Sequence, residues 1–167
     1  MDDTKTQQKA RDEALRWLAY RPRSESELRD RLRRRGYEEE VITEVLAYLR
    51  GIELVDDEQF AALWVRDRIA RKQLGARRLS WELRQKGVET EVIQRTVAML
   101  LDEERELALA REVATRAWPR YAPLAPAVAR RRLRGLLERR GYAPAIVSQV
   151  LREFFQEEKE PSEPSQS

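Results

Sequence analysis

The feature that most limits what this chain can become is a pattern it uses three times. Leu32-Arg33-Arg34-Arg35-Gly36-Tyr37 returns as Leu83-Arg84-Gln85-Lys86-Gly87-Val88 and again as Leu137-Glu138-Arg139-Arg140-Gly141-Tyr142, with the glycines 51 and 54 positions apart. Leucines stand eight residues before each glycine (Leu28, Leu79, Leu133), and aliphatic pairs follow it by five and six (Val41-Ile42, Val92-Ile93, Ile146-Val147). Apolar residues return ten after the glycine (Leu46, Val97, Leu151) and again thirteen after it (Leu49, Leu100, Phe154). These are helical spacings, so each repeat has one helix ending at the glycine and another starting just beyond it. Glycine suits the stop because the residue after a helix commonly takes a positive φ, which costs glycine no steric clash.

Upstream of each pair lies a third helix. Ala14 and Trp17 in the first repeat match Ala61 and Trp64 in the second, which places both tryptophans on a core-facing side. The sequence therefore predicts an all-α fold of three tandem three-helix, helix-turn-helix-like repeats in an elongated array. The repeats span 1–55, 56–103 and 104–156, with a disordered acidic tail at 157–167. Units of about 50 residues bury too little surface to be stable alone, so they must pack on one another. Helix signals fall where this scheme needs them. Lys9 to Tyr20 is helical up to the Arg21-Pro22 break. Ser24 with Glu27 forms a capping box. Asp56-Asp57-Glu58 caps the next helix. Gly75 separates Ile69 from the helix over 76–86, and Pro144 suits the first turn of the last helix. In the third repeat a helix from Glu104 to Trp118 is expected to stop at the Pro119–Pro126 stretch.

Several functions are excluded or disfavoured. The chain has neither cysteine nor histidine, which removes disulfides, thiol catalysis, Ser-His-Asp triads and ordinary zinc sites. No glycine-rich phosphate loop occurs. No cofactor or metal is expected, and the chain is read as a non-enzyme. A carboxylate-dependent nuclease, the one enzymatic reading left, lacks a ligand cluster. No apolar run could span a membrane and no signal peptide is visible, so a cytoplasmic monomer is expected.

The charge points to binding. Of 33 basic residues most are arginine, which makes planar, bidentate hydrogen bonds to carboxylate and phosphate. With Leu28 and Leu32 facing the core, Arg33 and Arg34 point outward at 100° per residue. Arg77 and Arg84 do so in the second repeat, and Arg131 and Arg134 in the third, with Arg130 on the flank. Basic residues near helix C-termini offset the helix dipole, but Arg130-Arg131-Arg132 lie mid-helix, where like charges repel. Trp81 shares the outward side with Arg77 and Arg84, as an interface anchor would; packing on a neighbouring repeat is the alternative. Base-specific readout through the helices after the glycines is opposed by their acidic starts, Glu38-Glu39-Glu40 and Glu89-Thr90-Glu91, which would face phosphate.

Together these strings resemble the RecX family of recombination regulators over about residues 10–155. The resemblance rests on Ala14-Leu15 to Leu18, Arg21-Pro22-Arg23-Ser24 through Glu27-Leu28, and Gly36. It rests above all on Leu54-Val55-Asp56-Asp57-Glu58-Gln59-Phe60-Ala61, continued by Arg68, Gly75, Arg78-Leu79, Glu82-Leu83 and Lys86-Gly87-Val88. It implies a negative regulator that binds the RecA–DNA filament, suppresses its ATPase and strand exchange, and binds single- or double-stranded DNA weakly and without sequence specificity. The expected contact face is Arg33, Arg34, Arg77, Trp81, Arg84, Arg130, Arg131 and Arg134, bridging adjacent protomers in the filament groove. The alternative is a helix-turn-helix-like DNA-binding regulator acting independently of RecA.

Overall fold

The computed structural model describes residues 2–155, and the acidic segment 157–167 lies outside them. Among the described residues there are nine α-helices and no strand. They are α1 (Asp2–Tyr20), α2 (Glu25–Arg34), α3 (Glu39–Gly51), α4 (Asp57–Lys72), α5 (Ala76–Gln85), α6 (Thr90–Leu100), α7 (Glu103–Tyr121), α8 (Pro126–Arg139) and α9 (Pro144–Phe155).

The three repeats fold alike around the residues that define them. Leu28 and Leu32, Leu79 and Leu83, and Leu133 and Leu137 are fully buried. Each repeat glycine lies just past a helix in the left-handed region, at φ +86° for Gly36, +73° for Gly87 and +82° for Gly141. The amide of the residue after each glycine, three beyond the helix, then reaches back, as Tyr37 N–H does to the Leu32 carbonyl, Val88 to Leu83 and Tyr142 to Leu137. That closes the last turn as a Schellman-type stop. In the first repeat α1, α2 and α3 bury Ala10, Ala14, Leu28, Leu32, Ile42, Val45, Leu46 and Leu49 together. In the third, α7, α8 and α9 bury Ala110, Ala114, Leu133, Leu137, Val147, Val150 and Leu151.

By packing, the chain forms two compact units. Over the described residues, one is 2–67 with 80–100 and the other is 68–79 with 101–155. The border falls inside α4 and α5.

Four expectations from sequence need adjustment. Pro119 does not end its helix: α7 runs on to Tyr121 with Pro119 inside it. A proline so near the C-terminus forfeits a single i→i−4 bond, and the Ala122 amide still closes on the Trp118 carbonyl at 2.8 Å. Helix α1 starts at Asp2 rather than Lys9. Trp17 and Trp64 are half-buried, not interior. Trp17 packs against the first core with the Arg31 guanidinium 4.7 Å above its ring, and the Trp64 indole donates to Glu82 at 3.0 Å. Of the acidic trio, Asp56 caps α4 by accepting from the amides of Glu58 and Gln59, whereas Asp57 reaches away to the Glu25 amide at 2.9 Å.

Candidate functional site

In the first unit, the start of α2 receives the end of α5. Ser24 closes α2 with the capping box its sequence calls for: its side chain accepts from the Glu27 amide, and the Glu27 carboxylate accepts from the Ser24 amide. Ser24 is fully buried and its hydroxyl also donates to the Lys86 carbonyl. Serine thus serves in both directions, which an aspartate cap could not do because a carboxylate only accepts. Glu27 binds Arg21 at 2.8 Å and Lys86 Nζ at 3.0 Å. Burial opposes the Glu27 charge, yet the bonds from Arg21, Lys86 and the Ser24 amide outweigh it and bring its pKa down to about 2. Lys86 Nζ also lies 5.0 Å from the Trp64 ring. Asp57, whose pKa burial raises, accepts from the first amide of α2.

In the second unit the start of α5 receives the end of α8 in the same way. The Gly75 amide donates to the Arg140 carbonyl at 2.8 Å and the Arg77 amide to the Gly141 carbonyl at 2.9 Å. Ser24 and Gly75, and Gly87 and Gly141, hold corresponding repeat positions. Here the buried carboxylate is Glu106, 5% exposed, whose Oε1 accepts from the Ala76 and Ala143 amides at 3.1 Å each. Tyr142 is buried, donates its hydroxyl to the Gln73 carbonyl, and has its pKa raised by burial. Gln73 sits at φ +50°, and its side chain is held by Glu112 and Arg116. The sequence reading missed Glu106, though a signal existed. It stands four and seven residues before Ala110 and Val113, so it is an acid in an apolar stripe, and such an acid needs partners.

The expected binding residues are all at the surface. Arg33, Arg34, Trp81 and Arg84 belong to the first unit, and Arg77, Arg130, Arg131 and Arg134 to the second. In the first unit Arg84 lies two residues from the Lys86 carbonyl that meets the start of α2. Arg33 and Arg34 stand about 14 Å of helix rise away, at the other end of α2. Arg33 is not a free cation: it binds Glu39 at 3.0 and 3.2 Å and lies 3.5 Å from Asp30. The Glu39 bond raises the Arg33 pKa, and the Arg33 bond in turn lowers that of Glu39. The spacing from α2 across the glycine to the start of α3 would have been the signal for this pair. Trp81 is 46% exposed.

In the second unit α8 turns Ala129, Leu133 and Leu137 inward and leaves Arg130, Arg131, Arg132 and Arg134 exposed on the remaining faces. Arg130 also lies 5.6 Å from the Phe155 ring. Arg77 is fixed near the far end of α8, where its amide meets Gly141, about 16 Å of helix rise from Arg130. The arginines of this unit therefore form a basic run along one helix with Arg77 beyond its end. Among the described residues no group of three or more acidic side chains is placed to hold a metal ion, and no helix is long and apolar enough to cross a membrane.

Comparison with known proteins agrees with this architecture repeat by repeat. Residues 10–49, 56–97 and 103–151 match the family descriptions "RecX, first three-helix domain", "RecX, second three-helix domain" and "RecX, third three-helix domain". A "Regulatory protein RecX" of Mycobacterium sp. (strain KMS) is 39% identical over 140 residues, covering 82% of this chain and 76% of its own. Its namesake from Streptomyces lividans is 37% identical over 156 residues, covering 93% and 82%. In fold, the chain resembles the crystal structure of RecX from Lactobacillus salivarius. The TM-score is 0.82 at 22% identity, over 91% of this chain and 96% of that one. With all three domains matched in order, and relatives of this identity over most of their length, the chain belongs to the RecX family.

Proposed function

We propose that this protein is a negative regulator of RecA that binds the RecA–DNA filament and inhibits its ATPase and strand exchange. The observation that carries the reading is the match to all three RecX domains in sequence order, in a chain whose named relatives are regulatory proteins. The exposed arginines are consistent with it. Guanidinium groups at Arg84 in one unit and along α8 in the other suit acidic protein surface and phosphate alike. In this reading Arg34, Arg77, Trp81, Arg84, Arg130, Arg131 and Arg134 make the contacts, and Arg33 contributes after giving up Glu39. Contacts to adjacent protomers then resist the rearrangement that accompanies ATP turnover.

The test is RecA ATPase on single-stranded DNA with and without the protein. Inhibition at concentrations too low to coat the bare DNA is expected. A second reading, a DNA-binding regulator acting without RecA, is favoured by the basic run on α8, since neutralising phosphate needs no base-edge contact. DNA binding with no effect on RecA turnover would select that alternative.

A further inference from the structure

The glycine turn that ends α2 has the same backbone as those ending α5 and α8, but a different environment. A Cβ at Gly87 would lie 2.2 Å from Ser26 Oγ, and one at Gly141 would lie 2.2 Å from Arg78 Cβ. At Gly36 nothing lies within 4 Å. Beside Gly36 is an open pocket of about 450 Å³, lined by Lys5, Thr6, Lys9, Glu13, Arg35 and Tyr37. Lys5, Lys9 and Glu13 lie at successive turns of α1. Glu13 is buried and already engaged, by Arg35 at 3.1 Å and by the Tyr37 hydroxyl. The pocket therefore keeps a positive character through its two exposed lysines.

We propose that the Gly36 turn and this pocket dock the N-terminal end of a helix from a partner protein, one that opens with serine or glycine and carries glutamate in its first turn. The two filled turns define the occupant's backbone, a helix start led by a small residue. Its charge is read from α2, which carries Glu25 and Glu27 in its first turn where α5 carries no acid. On the Gly87 turn sits the first turn of α2, with Ser24 bonded to the Lys86 carbonyl. On the Gly141 turn sits the first turn of α5, with the Gly75 and Arg77 amides bonded to the Arg140 and Gly141 carbonyls. The leading residue must be small: Ser24 is fully buried, and a Cβ at Gly75 would come within 2.5 Å of the Tyr142 amide nitrogen. In the first repeat the equivalent acceptors are the Arg35 and Gly36 carbonyls. Charge sets the second requirement. Glu27 of the docked helix pairs with Lys86, the residue before Gly87. Its counterpart Arg35 is committed to Glu13, so Lys5 and Lys9 are the cations left to meet an incoming glutamate.

A second copy of this chain does not fit the description. Its α2 and α5 N-termini are occupied as above. Helix α8 begins at Pro126, so the residues in register with Glu25–Glu27 and Ala76–Arg78 are Arg130–Arg132. Those lie inside the helix, where their amides are already bonded, and their charge repels Lys5 and Lys9.

The experiment is independent of any effect on RecA. A lactam-stapled helical peptide opening Ser-Glu-Ser-Glu, the order found at 24–27, is titrated into the full-length, ¹⁵N-labelled protein. Saturable shifts are expected at Gly36, Tyr37, Lys5 and Lys9. Gly36→Asn should keep the fold, since asparagine tolerates the left-handed region and has room there, yet weaken binding by about tenfold or more. Lys5→Glu with Lys9→Glu should do the same, and so should a Ser-Lys-Ser-Lys peptide. Absent shifts, or binding indifferent to Gly36→Asn, would overturn the proposal. Concentration-dependent dimerisation abolished by Gly36→Asn would overturn it too, in favour of a second copy as occupant.

Discussion

The joint at Gly87 and the joint at Gly141 perform the same task with different chemistry. In the first unit side chains carry the contact: the Ser24 hydroxyl on the Lys86 carbonyl and the Glu27 carboxylate between Arg21 and Lys86. In the second unit the backbone carries it, through Gly75 and Arg77 amides on Arg140 and Gly141 carbonyls, with Glu106 bridging two further amides. A backbone contact requires close approach, so it depends on glycine. A side-chain contact tolerates more distance but depends on ionisation. One repeated geometry should therefore fail in two different ways.

The largest effect is expected at Gly75. A Cβ there would lie 2.5 Å from the Tyr142 nitrogen and 2.6 Å from the Gly141 carbonyl carbon. The obstacle is backbone, so the two segments must separate and lose both amide bonds, from Gly75 to Arg140 and from Arg77 to Gly141. Gly75→Ala should cost about 3 kcal/mol, the upper end for an overpacked site. Gly36→Ala meets nothing and should cost only about 1–2 kcal/mol, from its positive φ. Urea melts of the two variants test this; equal losses would mean that docking adds nothing to the demand for glycine.

Glu106→Ala comes next. It strands the Ala76 and Ala143 amides in a buried place, at about 1–3 kcal/mol. Glu106→Gln keeps a carbonyl acceptor and should recover part of that loss. A gain in hydrogen exchange at Ala76 and Ala143 would locate the damage in the backbone joint.

The first joint should respond to acid. The Glu27 pKa is about 2 in the folded protein, below the ordinary carboxylate value. A depressed acid stabilises the fold fully above its unfolded pKa and loses that contribution as pH falls toward the folded one. The window is therefore about pH 5 down to pH 2. The amount is about 1–2 kcal/mol once solvent screening of a half-buried group is allowed for. Asp57 acts oppositely, because burial raises its pKa and protonation then favours the fold. Stability of Glu27→Gln against wild type across this window isolates the Glu27 part: the difference should shrink with acid. A constant difference would assign Glu27 a packing role only.

These joints mark the boundary of what was legible in the sequence. The helices, the glycine stops and the Ser24–Glu27 box were readable because each depends on residues within a few positions of one another. The leucine stripes were readable because three copies of a pattern expose its invariant part. The docking was not, since Ser24 and Lys86 are 62 residues apart and Tyr142 and Gln73 are 69 apart, and most of its acceptors are backbone carbonyls that every residue carries. Pro119 misled because a proline signals a break wherever it stands, while its cost depends on how many turns follow. The outward arginines were placed correctly by helix geometry. What geometry on one helix could not give was the ion pair that Glu39, on the next helix, makes with Arg33.

The smallest effect on stability, and the one that bears most on function, is expected at the α8 arginines. Arg130, Arg131 and Arg134 are exposed on a helix whose Ala129, Leu133 and Leu137 supply its buried side. Removing three neighbouring like charges also relieves repulsion, which offsets the loss of the Arg130 contact with Phe155. Changing all three to Ser should therefore move stability by no more than about 1 kcal/mol, serine's weaker helix propensity included. If these residues meet phosphate, the log–log salt dependence of DNA binding should flatten by at most about three units, one for each lost contact. If they meet acidic protein in the RecA filament, inhibition of ATPase should weaken while binding to bare DNA changes little. Titration against filaments and against single-stranded DNA at two salt concentrations separates these outcomes. Were both activities to survive, the binding role would pass to the first unit, where Arg84 and Trp81 remain exposed. The run of arginines on α8 would then be a solvated helix face and nothing more.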